Sequence, residues 1–170
     1  MKLSNDLEEA LNKQIGFEFA SAHSYLSMSA HFESEAWEGF AAWKATQSDE
    51  ERGHAMRFYH YLLDRDGSVR IPEIPAPRSQ FTSPLEVFEV TLQQEQDISK
   101  SIFALYKMAH DSDDYATVSF LKWFVDEQVE EEKLVSDMVD RLMRAAGNNE
   151  AILLLDRQAG ERTADGDLAQ

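Results

Sequence analysis

All four prolines of this 170-residue chain lie between Pro72 and Pro84. Because proline is excluded from helix interiors, this segment is predicted to be a loop that separates two long proline-free halves. Both halves carry apolar residues at the spacing of amphipathic helices. A loop of roughly 19 residues is long for a compact domain, and it suits a crossover that joins two parallel helices of a bundle.

The sequence therefore predicts an all-α fold, a four-helix bundle with a long crossover loop and a short fifth helix, in a single domain over residues 1–170. Ser4 is the expected N-cap of the first helix, and Ser83 with Pro84 opens the third. Gly67 and Gly147 follow the second and fourth helices. The predicted helices run from about 4 to 32, from the turn ESEAWEG to 64, from 84 to the stretch HDSDD, from 115 to 146 and from 149 to 160, with a flexible tail at 161–170.

Alternating steps of four and three residues pick out one seam on each of the four long helices. Each seam is apolar towards both ends and polar at its middle. Helices of similar length that pack side by side would bring the polar midpoints into one buried layer. The mid-seam residues are Glu18 on the first helix, Glu51 and His54 on the second, Glu95 on the third, and Gln128 and Glu131 on the fourth.

A buried layer of carboxylates destabilises a fold unless something compensates the charge. The groups could take up protons, or they could pair with buried Lys or Arg, although we expect no basic residue at the central seam positions. They could instead bind cations, and carboxylates with one imidazole and no sulfur suit iron, manganese or zinc. Glu51 and His54 form the Glu-x-x-His motif of di-iron carboxylate bundles, and Gln128 with Glu131 takes the matching place on the fourth helix.

The acidic composition limits the classes of partner. A net charge of −16, from 32 acidic and 16 basic side chains, argues against a nucleic-acid surface and favours cations. No apolar stretch is long enough for a transmembrane helix, the first residues lack the apolar core of a signal peptide, and there is no cysteine for a disulfide. We therefore expect a cytoplasmic protein without membrane or nucleic-acid partners.

Four stretches resemble, in the same order, the helix motifs of ferritins: QIGFEFASAHSYLSMSAHF, QSDEERGHAMRF, TLQQEQDIS and FLKWFVDEQVEEEKL. The resemblance covers about residues 5–160 and looks closest to the bacterial haem-free ferritins. It implies a ferritin-like bundle that works as a ferroxidase, oxidising Fe²⁺ with O₂ or H₂O₂ and storing the Fe³⁺ as mineral. It also implies a homo-oligomer in the form of a hollow 24-subunit cage.

The resemblance implies a di-iron centre in the mid-seam layer. Glu51 would bridge the two ions, and Gln128 would lie beside them. Because glutamine is a weak ligand, one metal position is expected to be more open or more labile than the other. The remaining implied ligands are Glu18 and His54 for the first iron, and Glu95 and Glu131 for the second.

Residues around the centre have two interpretations each. Tyr25 lies on the first seam, and the resemblance implies that it is a hydrogen-bond partner or an electron donor of the centre. A core tyrosine with a satisfied hydroxyl is an equally good interpretation. Glu50, Glu127 and Glu130 match a third iron site of bacterial ferritins, or they form a solvated acidic face. Trp123 is expected to be a core residue or an electron source.

Two positions depart from patterns found in other ferritins. Haem-binding bacterioferritins place a methionine just after the bridging glutamate, and because Arg52 stands there no haem is expected. Animal ferritins line their threefold pores with acidic residues early in the fourth helix. This chain has Val118 and Leu121 at the positions that we match to those acids.

Three alternatives stay open. A rubrerythrin-like di-iron oxidase or peroxidase would usually carry a cysteine-ligated iron and a second Glu-x-x-His motif, and the sequence has neither. A mini-ferritin that coats DNA would lack the fifth helix and place its metal between subunits. A non-catalytic helical scaffold would keep the seam glutamates protonated and free of metal.

Overall fold

The computed structural model describes residues 3–161, and within that range it contains five helices and no strand. The helices are α1 (Asn5–Ser34), α2 (Glu38–Asp64), α3 (Pro84–Asp111), α4 (Tyr115–Arg144) and α5 (Asn149–Gly160). The predicted all-α bundle with a long crossover and a short fifth helix is confirmed. Apart from Glu161, the tail predicted at 161–170 lies outside the described residues. None of the helices in residues 3–161 is apolar over the length that a membrane crossing requires.

The four long helices form two antiparallel hairpins, α1 with α2 and α3 with α4. Hydrogen bonds join Ser24 to Gln94 and Gln14 to Ser101, so α1 and α3 also run antiparallel. It follows that α2 and α3 run parallel, which the long crossover between them makes possible. Helix α5 packs against α2 and α4.

Side chains cap the N-termini of four helices. Ser4 accepts a hydrogen bond from an amide of the first turn of α1 at 3.3 Å, and Ser83 does the same for α3 at 3.2 Å. Both caps were predicted, and each satisfies one of the amides that a helix start leaves without an intrahelical partner. Asp114 and Asn148 cap α4 and α5 in the same way. Helix α4 ends at Arg144, two residues before its predicted end at 146.

The two glycines predicted to follow helices act differently. Gly147 has a φ of 79°, the left-handed conformation that glycine favours. After α2 the left-handed residue is Asp66, with a φ of 55°, while Gly67 donates its amide to the Leu62 carbonyl at 2.8 Å. A Cβ on Gly67 would lie 3.0 Å from that oxygen, so close contact favours glycine there.

The N-terminus of α2 is capped by a residue of α5. Trp37, at the N-cap position, makes no side-chain cap hydrogen bond, and the amide of Phe40 instead donates to Oδ1 of buried Asp156 at 2.8 Å. A carboxylate also suits the positive end of a helix dipole. Gly39 and Gly160 allow this approach, because a Cβ on Gly39 would lie only 1.7 Å from the Asp156 carbonyl oxygen.

The crossover is fastened to α1 soon after α2 ends. Buried Asn12 donates to the Ser68 carbonyl at 2.9 Å and accepts from the Arg70 amide at 2.6 Å. One turn further along α1, Gly16 faces the ring of Pro72, whose Cγ lies 2.3 Å from the place that a Cβ would take. These contacts set the path of the crossover over the first hairpin.

The apolar core forms two clusters, one towards each end of the bundle. One cluster includes Phe32, Phe40 and Phe88, and the other includes Phe58 and Phe124. The polar mid-seam residues lie between the two clusters along each helix. The predicted seam pattern, apolar at both ends and polar at the middle, is therefore confirmed.

The match of α4 residues to the acidic pore positions of animal ferritins is wrong for Leu121. The Leu121 side chain is fully buried in the core cluster that contains Phe58 and Phe124. Val118 is half-buried and packs against this cluster. A residue inside the subunit cannot line a pore between subunits.

Replacing Gly39 with Ala is expected to destabilise the protein by about 2 kcal/mol or more, because the new methyl group collides with the backbone of α5. The matched control is Gly16→Ala, also inside a helix, where the new methyl group meets a side-chain ring, that of Pro72, instead of backbone, and a smaller loss is expected. Chemical denaturation of both variants measures the difference. Equal stability losses would contradict the close packing of α2 on α5.

Candidate metal centre

Three buried side chains from two helices meet in the middle of the bundle. Glu18 of α1 and Glu51 and His54 of α2 each offer one ligand atom, and these atoms lie within 4.8 Å of one another. Among residues 3–161, these three form the one group of His, Cys, Asp or Glu side chains that are close enough together to hold a metal ion. The three-residue spacing places Glu51 and His54 on one face of α2, and the antiparallel hairpin places Glu18 opposite them.

Glu18 is only half satisfied by its neighbours. Its Oε1 accepts from Gln14 Nε2 at 2.8 Å, and Gln14 is in turn held by Ser101 Oγ at 2.5 Å. Its Oε2 is buried and has no hydrogen-bond partner among the described residues. Burial, and then the nearby Glu51 carboxylate, raise the pKa of Glu18 well above its usual value. A proton or a bound cation would compensate the charge of this buried oxygen.

Glu51 faces the other carboxylates of the layer. His54 Nδ1 lies 3.3 Å from Glu51 Oε2, and the His54 ring packs edge-on against Trp123 and Phe124 at centroid distances of 5.4 and 5.8 Å. Burial, and then the charge of Glu95, raise the pKa of Glu51 well above its usual value. Two aromatic rings therefore hold the imidazole in place beside a carboxyl group that resists ionisation.

Glu95 of α3 lies in the same layer and has more hydrogen-bond donors. Tyr25 donates its hydroxyl to Oε1, and Gln128 Nε2 donates to Oε2 at 3.2 Å. Burial, and then the Glu131 carboxylate, raise the pKa of Glu95 to about 7, although the two hydrogen bonds and the Lys44 charge oppose this shift. Burial and the Glu95 carboxylate also raise the pKa of Tyr25 well above its usual value. Tyr25 is thus a hydrogen-bond partner of the layer.

Glu131 of α4 completes the layer. It is buried, and its Oε2 accepts from Gln47 Nε2 at 3.4 Å. The charge of Glu131 raises the pKa of Glu95, and both carboxylates raise the pKa of Glu51. Neither belongs to the close group of three ligands. The structure thus places all predicted mid-seam residues in one layer with two unequal halves.

The expectation that the central seam holds no basic residue is wrong. Lys44 of α2 is fully buried, and its Nζ donates to Gln47 Oε1 at 2.7 Å and to Thr91 Oγ1 at 2.8 Å. The sequence did carry a signal, because Lys44 precedes Gln47 by three residues and Glu51 by seven, which is the seam spacing.

The acidic residues assigned to a third site lie beside the layer, where Glu50 acts on Glu51, and His54 and Glu131 act on Glu127. Glu127 is half-buried and Glu130 is exposed, both on α4, while Glu50 is half-buried on α2. Burial raises the pKa of Glu127, and nearby Glu130 adds to the shift. Close by, Arg57 stacks on the Trp123 ring at 3.7 Å from its centroid. The third site stays a prediction, as does the role of Trp123.

Known proteins share this sequence over nearly its whole length. The sequence model of the ferritin-like domain matches residues 8–145. The bacterial non-heme ferritin of Staphylococcus aureus strain USA300 is 40% identical over 163 residues, which cover 96% of this chain and 98% of that protein. A bacterial non-heme ferritin of Staphylococcus haemolyticus strain JCSC1435 has the same identity and coverage.

Solved structures of similar sequence share the fold. The open pore ferritin of the hyperthermophilic archaeon Archaeoglobus fulgidus superposes with a TM-score of 0.94 at 38% identity, covering 95% of this chain and 100% of that one. A humanized archaeal ferritin gives a TM-score of 0.94 at 38% identity, with 95% and 98% covered. With a family domain over most of its length and full-length relatives at this identity, the chain belongs to the ferritin family.

Proposed function

We propose that the protein oxidises Fe²⁺ to Fe³⁺ at a di-iron centre inside the bundle and stores the product as a ferric mineral. The observation that carries this proposal is the buried group Glu18, Glu51 and His54, with ligand atoms within 4.8 Å of one another and one Glu18 oxygen without a donor. Carboxylate oxygen and imidazole nitrogen are suitable ligands for iron. The relatives named as non-heme ferritins support the same substrate.

In this proposal each half of the layer holds one substrate ion. Glu18 and His54 bind the first, Glu51 bridges, and the two ions give one electron each to the oxidant. With O₂ the two electrons and two protons yield H₂O₂, and with H₂O₂ they yield two water molecules. The second ion is bound by Glu95 and Glu131, with Gln128 and Tyr25 beside them as hydrogen-bond donors.

We further propose that the subunits assemble into a 24-subunit cage. Several large apolar side chains are exposed on the single chain and would be covered by neighbouring copies: Leu26, Ile71, Phe103 and Leu154. The net charge of −16 per chain would give such a cage an acidic character that attracts Fe²⁺.

Glu51→Ala or His54→Ala is expected to slow the fast phase of aerobic Fe²⁺ oxidation by about tenfold or more, because each change removes a ligand of the first ion. Stopped-flow absorbance of Fe³⁺ measures the rate. Asp49→Ala, an exposed acid on the same helix, is the control and keeps the wild-type rate. A wild-type protein without a fast phase would support the scaffold alternative, and a small particle by size-exclusion chromatography would exclude the cage.

Protons and metal ions compete for the buried carboxyl groups of this layer. With its pKa at about 7, Glu95 keeps a proton in the folded protein that the unfolded chain releases near 4.5. The raised pKa values of Glu18 and Glu51 act in the same direction. Because the folded state binds more protons, the stability that Glu95 contributes to the metal-free protein falls as pH rises from about 4.5 to about 7.

The metal-free protein is therefore expected to be more stable near pH 5.5 than near pH 7.5. Glu95→Gln should reduce the difference by about 2 kcal/mol per subunit, since the amide cannot ionise. Calorimetric unfolding at the two pH values measures this. Glu89→Gln, at an exposed position of α3, should leave the difference unchanged. A stability that rises with pH in this window would contradict the proposed proton uptake.

We also propose that Glu50, Glu127 and Glu130 bind a third iron beside the layer, on the cavity side of the proposed cage. Glu130→Ala or Glu127→Ala should then lower the anaerobic Fe²⁺ stoichiometry by about one ion per subunit, because each removes a carboxylate ligand. Calorimetric titration measures the stoichiometry, with Asp140→Ala at an exposed position of α4 as the control. An unchanged stoichiometry in both variants would identify these residues as a solvated acidic face.

A further inference from the structure

Lys44 is a fully buried cation on α2, about two turns before Glu51 and beside the apolar cluster that contains Phe88. Its Nζ donates to Gln47 Oε1 on its own helix and to Thr91 Oγ1 on α3, at 2.7 and 2.8 Å. Thr91 is itself held by a hydrogen bond to the Val87 carbonyl at 2.9 Å. The ammonium group is therefore fixed between α2 and α3.

Aromatic rings surround the ammonium group of Lys44. Nζ lies 4.4 Å from the ring centroid of Phe88, 5.1 Å from that of Tyr25 and 5.6 Å from that of Trp43. The faces of such rings attract cations, and the attraction is stronger where water is excluded. These contacts compensate part of the loss of hydration that burial of a charge entails.

Each carboxylate of the second half of the layer is one side chain away from Lys44. Gln47 accepts from Lys44 through its oxygen and donates through its nitrogen to Glu131 at 3.4 Å. Tyr25 has its ring beside the ammonium group, and its hydroxyl donates to Glu95. The Lys44 charge is also felt at Glu95, whose pKa it lowers.

The first half of the layer is supported in a different way. Glu18 accepts from the neutral amide of Gln14, and its other oxygen has no partner among the described residues. His54 packs against the rings of Trp123 and Phe124. The cation beside the second half is therefore the fully buried Lys44, whereas the cation near the first half is half-buried Arg57, on the Trp123 ring.

We propose that Lys44 is an internal cation that positions Glu131 through Gln47 and weakens Fe²⁺ binding between Glu95 and Glu131, so that the Glu18, Glu51 and His54 position fills first. The inference rests on the di-iron function proposed above. A fixed positive charge compensates the two carboxylates when no metal is bound and repels a divalent cation that approaches them. An ion held weakly in this half leaves more readily after oxidation, which suits a protein that passes iron on to a store.

The test is an anaerobic calorimetric titration of the assembled, metal-free protein with Fe²⁺ at about pH 8, above the pKa of Glu95, so that proton competition at this carboxyl group is small. The wild-type protein should bind ions in a stronger and a weaker step. Lys44→Met, which keeps the length of the side chain and removes its charge, should raise the weaker affinity by about tenfold or more, since charge interactions inside proteins are commonly of that size. The stronger affinity should change by less than about threefold, because the hydrogen bonds of Lys44 go to Gln47 and Thr91 and not to the ligands of the first ion.

Two further variants separate charge from packing. Lys44→Gln keeps a hydrogen-bond donor and removes the charge, so it should behave like Lys44→Met. Lys100→Met removes an exposed lysine of α3, makes the same change in net charge, and should leave both affinities as in the wild type. Thermal unfolding and size-exclusion chromatography check that each variant still folds and assembles.

The outcomes distinguish this inference from the proposed function. A wild-type protein that binds no Fe²⁺ at all would overturn the di-iron function itself. A two-step wild-type isotherm that Lys44→Met leaves unchanged would overturn only the role of Lys44. Three other results would show that Lys44 serves only the fold, and each would also overturn its proposed role. They are equal losses in both affinities, wild-type behaviour of Lys44→Gln, and failure of both variants to assemble.

Discussion

The burial of several carboxyl groups at one level of the bundle is the constraint on which the rest of the structure depends. Such groups repel one another and lose their hydration, so the layer alone opposes folding. Apolar clusters on either side, with rings such as Phe32, Phe88, Phe58 and Phe124, supply the burial that offsets it. The carboxyl groups can then stay at this level as holders of protons or metal ions.

Ligands from several helices meet only if the helices keep their register, since one turn corresponds to about 5.4 Å along the axis. Contacts at the ends of helices maintain this register. Asp156 caps the start of α2 from α5, and Asn12 fastens the start of the crossover to α1. Because the crossover makes α2 and α3 parallel, Glu51 and Glu95 reach the same layer from two helices that both pack on α1. The charge of Glu95 there raises the pKa of Glu51.

Features that depend on local spacing could be predicted from the sequence, and features that depend on distant contacts could not. Helix starts at Ser4 and Ser83 follow from short-range capping rules, and the polar layer follows from the seam period. The cap from Asp156 joins residues that are 116 positions apart, which no periodicity indicates. Lys44 lies at seam spacing but was not expected inside, because lysine is rarely buried without partners, and its partners include Thr91 on another helix.

The two halves of the layer differ in how much a metal ion has to displace. In the first half, Glu18 offers an oxygen that has no hydrogen-bond partner within residues 3–161. In the second, an incoming ion competes with the hydrogen bonds that Tyr25 and Gln128 donate to Glu95. Those donors satisfy the Glu95 carboxyl group in the metal-free layer, and in the function proposed above they would weaken the binding of the second ion. One firmer position and one that releases its ion more readily would suit the proposed oxidation and transfer of iron.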